Sequence, residues 1–526
     1  MMNEEKYLSI LSYAAIAAAF LFLSLFFLTA SMERVLTVIP DDAAYYFKIA
    51  RNAGAGEGLT FDGMNRTNGF QPLWLYILVP VFAAYRGTPE AMCRIVLVLQ
   101  LVLLAGAAVL LNSLLVRYFS RRVVFVSLVL FMFLVFIPAA NGMESAILVF
   151  SLIVLLAYGS KAGIISRRDA GWELIFGMLL GLVVLSRLDM VFVPLVVLAF
   201  GFGSALMARE GRGARLSRAT GILAGTAVIV APYLIYNRAS FGAMMPISGM
   251  LKSSFPEASS PGYALSTLGK RGWAGSVAAL GYLAWFIWRL RVPGGDRRNR
   301  WYFQVAMAVM AGAILLHCVH ALLFMKWGIF GWHYIPYALF GVVMICEPVE
   351  RVLATDIAKR FRLFYWPAVA AIVILGCFSV FGNLSRSPGG SWGAAAYDAA
   401  RWARQNTLRD AVFAMKDAGN FGYFSERRVI NLDGVVNNLE YQAALKEHNI
   451  RGYLMIKGAR FIAQHAFWNR PDISSGNYDS YAMRYQSHRY RRESEELLLL
   501  KADEVYRSRP YFDGPHETVF IIWKIR

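Results

Sequence analysis

Two adjacent carboxylates, Asp41 and Asp42, open the stretch DDAAYYFKIARNAGAG immediately after a long apolar run. Further ionisable residues stand at the edges of other apolar runs. They are Glu144 in NGMES, Arg187 and Asp189 in LSRLDM, Arg238 and Lys252 in YNRASFGAMMPISGMLKSS, and Lys326 and His333 in KWGIFGWHY, beside Trp332 and Tyr334. Carboxylates and cations brought together suit one type of reaction. A carboxylate removes a proton from a hydroxyl, while Lys, Arg and His neutralise a phosphate leaving group. Aromatic side chains nearby are suited to stacking on a sugar or lining a lipid groove.

Each piece also has a plainer reading. Asp41 and Asp42 can cap the helix that AAYYFKIARNA would form. Arg187 and Asp189 can pair across a tight turn, and Lys252 and Lys326 can reach from a membrane edge into water. His317 and His320, which flank Cys318, fit a satisfied packing role better than a metal site. NRT (65–67) and NLS (383–385) match the glycosylation acceptor pattern, which is too short to carry an argument. What favours chemistry is that the polar residues fall on one side of the membrane once the chain is threaded through it.

That threading follows from composition. The chain has 526 residues, of which 57% are hydrophobic and 17% charged, whereas a soluble protein carries about 25% charged residues. The apolar excess lies in long runs, which identifies a polytopic α-helical membrane protein. Spans are expected at 8–30, 90–116, 122–139, 144–160, 171–186, 190–207, 219–236, 272–290, 302–323, 335–349 and 363–382, about eleven in all. The first run is longer than a secretory h-region, so it reads as an uncleaved span. FQPLWLYILVPVFAAY (70–85) is short and carries two prolines. Treating it as an interfacial helix leaves RYFSRR, SRRD, REGRGARLSR and RLRVPGGDRRNR all on the cytoplasmic side, as the positive-inside rule requires. The same rule accounts for the net charge of +19 without nucleic acid as a partner. The four cysteines lie in or beside apolar runs and form neither a disulfide framework nor a zinc pattern.

Residues 1–382 are then expected to form the membrane domain, with its first outside loop at 31–89. Residues 383–526 form an outside α/β domain. AAAYDAARWARQN and NNLEYQAALKEHN read as helices; AVFAM, RGYLMI and TVFIIWKI read as strands.

The segment DDAAYYFKIARNAGAGEGLTFDG, followed by NGFQPLW, resembles bacterial membrane glycosyltransferases of the GT-C fold, which use polyprenyl-phosphate-linked sugars. NGMES, LSRLD, FGAMMPISGMLK, GWHYIP and DAGNFGYFSERRVINLDGVVNN occur in the order found in a subgroup similar to the terminal arabinofuranosyltransferases of the mycobacterial cell wall. The resemblance implies a GT-C membrane domain with juxtamembrane helices in the first loop. It implies an inverting transfer of a monosaccharide, D-arabinofuranose first among candidates, from a donor such as decaprenyl phosphate. The acceptor would be a hydroxyl of a cell-envelope glycan, lipid or protein. By resemblance Asp41 is the general base with Asp42 assisting, and Glu144 fills a second acidic position. Lys252, Arg187 and His333 bind donor phosphate. Tyr45, Gln71, Trp74, Asp189, Trp332 and Tyr334 contact sugar or acceptor. Some GT-C relatives use a divalent cation and others do not; the carboxylates here could hold one, and their spacing does not decide it. The implied location is the bacterial inner membrane, with the N-terminus cytoplasmic and the C-terminal domain periplasmic. The alternatives are a ligase for lipid-linked oligosaccharides and a lipid or solute transporter. The transporter predicts inverted repeats and midplane charges, and neither is visible.

Overall fold

The computed structural model describes residues 2–525 except 165–168, 259–260, 292–296, 356–361, 386–390, 467–470, 487–493 and 514–515. Among the described residues, eight helices are long and apolar enough to cross a membrane, and the chain is a multi-pass membrane protein. They are Glu4–Thr29, Pro89–Leu115, Arg121–Ala139, Ser145–Ala162, Leu188–Leu206, Arg212–Phe241, Arg300–Phe324 and Phe364–Leu384. Each overlays an expected span. The other three expected spans are also helical, but shorter or interrupted. Ala170–Ser186 has 17 residues. Pro261–Arg291 is broken at Gly269, where φ is 57° and ψ 174°. The 335–349 run divides into Ile335–Met344 and Cys346–Ala354.

The segment expected at the interface is the helix Pro72–Ala84, with 13 residues. At about 1.5 Å per residue it reaches roughly 20 Å, short of a hydrocarbon core of about 30 Å. Gln71 ends the extended stretch before it, and Pro72 supplies the pre-set φ of a first helical turn. The longer helix Pro89–Leu115 starts in the same way, with the Thr88 hydroxyl accepting the Ala91 amide at 3.3 Å.

Among the described residues the C-terminal region has eight strands. They are β1 (Val412–Met415), β2 (Arg428–Asn431), β3 (Phe461–Ala466), β4 (Ser480–Gln486), β5 (Ser494–Leu500), β6 (Glu504–Arg507), β7 (Tyr511–Asp513) and β8 (His516–Lys524). The main sheet runs β2-β1-β3-β8-β6, with β7 also on β8; β4 and β5 form a separate hairpin. The β1–β2 and β1–β3 pairs are parallel, and β8 is antiparallel to β3 and β6. The TVFIIWKI run is the buried strand β8, whose unbroken apolar core from Val519 to Trp523 reflects cover on both faces. RGYLMI differs from expectation: it lies in the helix Ile450–Ile456. A six-residue apolar run has no decisive period, and Asn449 ahead of it starts a helix.

The helix Asp42–Gly54 links the two regions. Ala43 to Ala50 are all buried, packed between the helix Pro72–Ala84 and the tail helix Gly419–Phe424. Side chains from both regions join one apolar cluster that includes Phe47, Trp74, Phe413 and Tyr423. Lys48 Nζ donates to the Arg427 carbonyl at 3.2 Å, and Tyr423 donates its hydroxyl to the Pro89 carbonyl at 3.0 Å. Arg51 and Glu426 form an ion pair across the same seam.

Candidate active site

A cavity of about 460 Å³ opens where the first loop, several helix ends and the tail meet. Asp42, Tyr45, Gln71, Glu144, Arg187, Asp189, Lys252, Trp332 and His333 all line it. Residues up to 291 positions apart in the sequence, from Asp42 to His333, thus share one wall.

The elements fix these side chains through backbone contacts. In NGMES the Asn141 side chain accepts the Met143 amide at 3.0 Å, and Gly142 adopts φ of 80°. Only glycine takes that conformation without strain. Gln100 braces the same turn from the neighbouring helix. Its Oε1 accepts the Gly142 amide at 2.7 Å and its Nε2 donates to the Met143 carbonyl at 2.5 Å. Glu144 then stands at the start of Ser145–Ala162, facing the cavity. Tyr46 donates its hydroxyl to Glu144 Oε2 at 2.9 Å.

Arg187 is almost wholly buried and fully engaged. Nη1 donates to the Trp332 carbonyl at 3.0 Å, Nη2 to Asp189 Oδ2 at 2.7 Å, and Nε lies 3.8 Å from Glu144 Oε1. Asp189 also lies 3.5 Å from His317 Nε2, and His317 Nδ1 is 2.7 Å from the Tyr337 hydroxyl. The next amide, that of Leu188, donates to Gln71 Oε1 at 2.9 Å, tying this turn to the first loop.

Lys252 ends the short helix Ile247–Lys252. Asn68 of NGF holds the start of that helix by accepting the Ile247 amide at 3.0 Å. Its end is held by the Lys252 carbonyl, which accepts the Lys326 amide at 2.9 Å. The Lys252 ammonium makes no hydrogen bond or ion pair among the described residues; it sits 5.8 Å from the centre of the Trp327 ring. His333 Nδ1 accepts the Phe330 amide at 3.3 Å. That leaves the proton on Nε2. Burial, with Arg187 and Lys252 adding to it, pushes the His333 pKa well below its usual value, so the ring is neutral.

The acidic pair divides. Asp41 does not cap its own helix. Its two oxygens instead accept the amides of Gly419 and Asn420, each at 2.7 Å. A Cβ at Gly419 would strike the Asp41 carbonyl and carboxylate, so glycine permits this approach. Burial pushes the Asp41 carboxyl up to about 8; the Asn420 amide pulls it back, the Asp42 charge adds to the rise, and the Gly419 amide opposes it. Asp42 faces the cavity and has no hydrogen bond or ion pair among the described residues. Burial raises its pKa, the Lys252 ammonium pulls it down, and Asp433 raises it.

Three expected residues stand outside the cavity wall. Asp41 is turned toward the tail. Trp74 is fully buried and donates its indole N–H to the Gly142 carbonyl at 3.1 Å, supporting the Glu144 turn. Tyr334 is buried, with its hydroxyl bonded to the Leu268 carbonyl. The wall also includes residues that sequence reasoning did not assign to it: Tyr46, Ser253, His317 and His320. Ser253 Oγ lies 3.3 Å from His320 Nε2. His317 and His320 are spaced to share the face of a helix that ends near Lys326, and that spacing was the available signal. Val435 and Val436 bring the tail itself into the wall. Among the described residues no three His, Cys, Asp or Glu side chains gather as a metal site. Asp41 and Glu144 bind other partners through both oxygens, and Asp189 does so through Oδ2, its Oδ1 being buried without a hydrogen bond.

Residues 390–509 match a family model described as a domain of unknown function, DUF8728. A search of curated protein sequences finds no match. Solved structures do match. ArnT from Cupriavidus metallidurans, bound to undecaprenyl phosphate, aligns over 98% of this chain and 97% of its own, with TM-score 0.57 and 12% identity. The oligosaccharyltransferase of Archaeoglobus fulgidus in its apo form aligns over 93% of this chain and 76% of its own, with TM-score 0.56 and 12% identity. The archaeal oligosaccharyltransferase AglB from Archaeoglobus fulgidus, with an inhibitory peptide and a dolichol-phosphate, aligns over 90% of this chain and 73% of its own, with TM-score 0.53 and 12% identity. At that identity the likeness defines the fold, which is GT-C: a bundle of membrane helices followed by a small C-terminal sheet domain.

Proposed function

We propose that the chain is an inverting glycosyltransferase that moves a monosaccharide from a polyprenyl-phosphate donor to a hydroxyl of a cell-envelope acceptor. The observation that carries this reading is the Asp42 carboxylate and the Lys252 ammonium sharing one cavity, neither with a hydrogen bond or ion pair among the described residues. The likeness to ArnT and AglB, which are described with polyprenyl phosphates bound, supports a lipid-linked donor.

In this mechanism Asp42 takes the proton of the acceptor hydroxyl as its oxygen attacks the anomeric carbon. The bond from that carbon to the phosphate oxygen breaks, and polyprenyl phosphate leaves with the electron pair. Lys252 neutralises the departing phosphate, and His333 donates a hydrogen bond from Nε2. Arg187, held by Asp189 and Glu144, contributes fixed positive charge behind them. Asp41 acts on Asp42 by holding the tail against the first loop. The assignment of the base moves from Asp41 to Asp42 because an acceptor-facing carboxylate needs a free oxygen.

D-Arabinofuranose as the sugar and a cell-wall glycan as the acceptor rest on the motif resemblance alone. The division at residue 383 rests on the end of the last apolar run, and the outward placement of the cavity and the periplasmic tail rest on the charge pattern of the loops. A lipid-linked oligosaccharide as donor is the second reading, favoured by the archaeal oligosaccharyltransferase likeness. The test is a panel of polyprenyl-phosphate monosaccharides and one lipid-linked oligosaccharide, with product mass as readout. Growth of an acceptor by one sugar mass supports the proposal. Transfer only from the oligosaccharide, or from no lipid-linked sugar, rejects it.

A further inference from the structure

A second cavity, of about 520 Å³, lies at the other end of the helices that frame the active cavity. The helix beginning beside Glu144 reaches it at Leu155 and Leu156. The helix beginning at Phe192, beside Asp189, reaches it at Phe200 and Ser204. Its interior is mostly apolar, and Tyr302, from the helix Arg297–Phe324, is satisfied by donating to the Leu156 carbonyl at 2.9 Å. Inward, the cavity narrows at Val193 and Met310, where a void of only about 10 Å³ separates it from Asp189 and His317.

The mouth is charged. The 207–218 segment carries Arg209, Arg212, Arg215 and Arg218 against the single acid Glu210. Arg215, Arg218 and Glu210 line the rim. Arg218 is partly balanced by Glu173, 3.3 Å away. Arg215 has no hydrogen bond or ion pair among the described residues. Leu206, Met207 and Leu216 beside it are exposed apolar side chains, a face suited to lipid rather than water.

We infer that this cavity is a binding site for an anionic glycerophospholipid, with one acyl chain between the helices and the phosphate at Arg215. Basic pockets between membrane helices bind anionic headgroups, and a cavity of this size is in the range of ligand sites. The narrowing at Val193 and Met310 sets a limit on chain length that suits an acyl chain and not a long polyprenyl chain. The site is separate from the active cavity and does not depend on the sugar chemistry proposed above.

The experiment is native mass spectrometry of the full chain in detergent micelles supplied with dioleoyl phosphatidylglycerol, dioleoyl phosphatidylcholine or undecaprenyl phosphate. The expected result is retention of phosphatidylglycerol over phosphatidylcholine, reduced roughly tenfold or more by Arg215→Glu and by Ala214→Trp, which fills the mouth. Arg215 is exposed, so its variant tests the site even where Ala214→Trp does not fold. Equal retention of the two phospholipids, or retention unaffected by Arg215→Glu, overturns the inference. Retention of undecaprenyl phosphate in preference to phosphatidylglycerol, lost in Arg215→Glu, overturns the choice of lipid.

Discussion

The Asp41 carboxylate accepts the Gly419 amide at 2.7 Å, joining residues 378 positions apart in the sequence. Its neighbour Asp42 points into the cavity with its oxygens unclaimed. The two acids therefore respond differently to the same substitution. Asp42→Asn is expected to lose about 10²–10⁴-fold in transfer rate with an unchanged melting temperature. Asp41→Asn replaces an acceptor oxygen with an NH₂ that faces an amide, so it is expected to lower the melting temperature as well as the rate. Thermal unfolding of both variants beside their rates checks this. A stable, inactive Asp41→Asn with a fully active Asp42→Asn would return the base to Asp41.

The pH profile should report Asp42. The base works as the carboxylate, so rate is present above its pKa and lost as pH falls through it. Burial places that acid limb above the ordinary value of 3.8. Because Lys252 pulls the Asp42 pKa down, Lys252→Ala is expected to move the acid limb of kcat/KM to higher pH. It should also lower kcat by about 10²–10³-fold through the lost phosphate contact. A limb that stays in place separates Lys252 from Asp42.

Trp74 separates support from contact. Trp74→Phe leaves the buried Gly142 carbonyl without its donor, which costs about 1–3 kcal/mol. It is expected to lower the melting temperature and kcat together, because the turn carrying Glu144 loosens. A higher KM for acceptor or donor with unchanged stability would instead mark a direct sugar contact.

Removing Glu144 leaves buried Arg187 with Asp189 as its one remaining carboxylate partner, beside the Trp332 carbonyl. Glu144→Ala is expected to destabilise the chain by about 3 kcal/mol, as loss of one partner from a buried pair does. Glu144→Gln should recover part of this, since the amide oxygen still accepts from Tyr46. Equal melting temperatures for the Ala and Gln variants would show that the Tyr46 bond contributes nothing.

The long helices were legible because apolar runs of span length have few other fates, and Asp42, Glu144, Arg187, Lys252 and His333, each at the edge of such a run, do line one cavity. Duties within the site were harder to read. Asp41 and Asp42 have the same chemistry and adjacent positions, and only the tail, folded back from residue 419, decides which one stays free. Trp74 looked like a sugar platform because aromatic type is visible in sequence while burial is not. His317 and His320 read as packing residues, and His317 is indeed satisfied by Tyr337 and Asp189, yet both stand in the cavity wall. RGYLMI shows the limit for short runs, where six residues fit a strand or a buried helix equally.

The clamp between Asp41 and the Gly419–Asn420 amides also bears on biosynthesis. A ribosome makes the acidic pair early and the amides that hold it several hundred residues later. Until then Asp41 lacks its partners and the wall formed by Val435 and Val436 is missing. The cavity wall is therefore complete only once the tail has folded back onto the early helices.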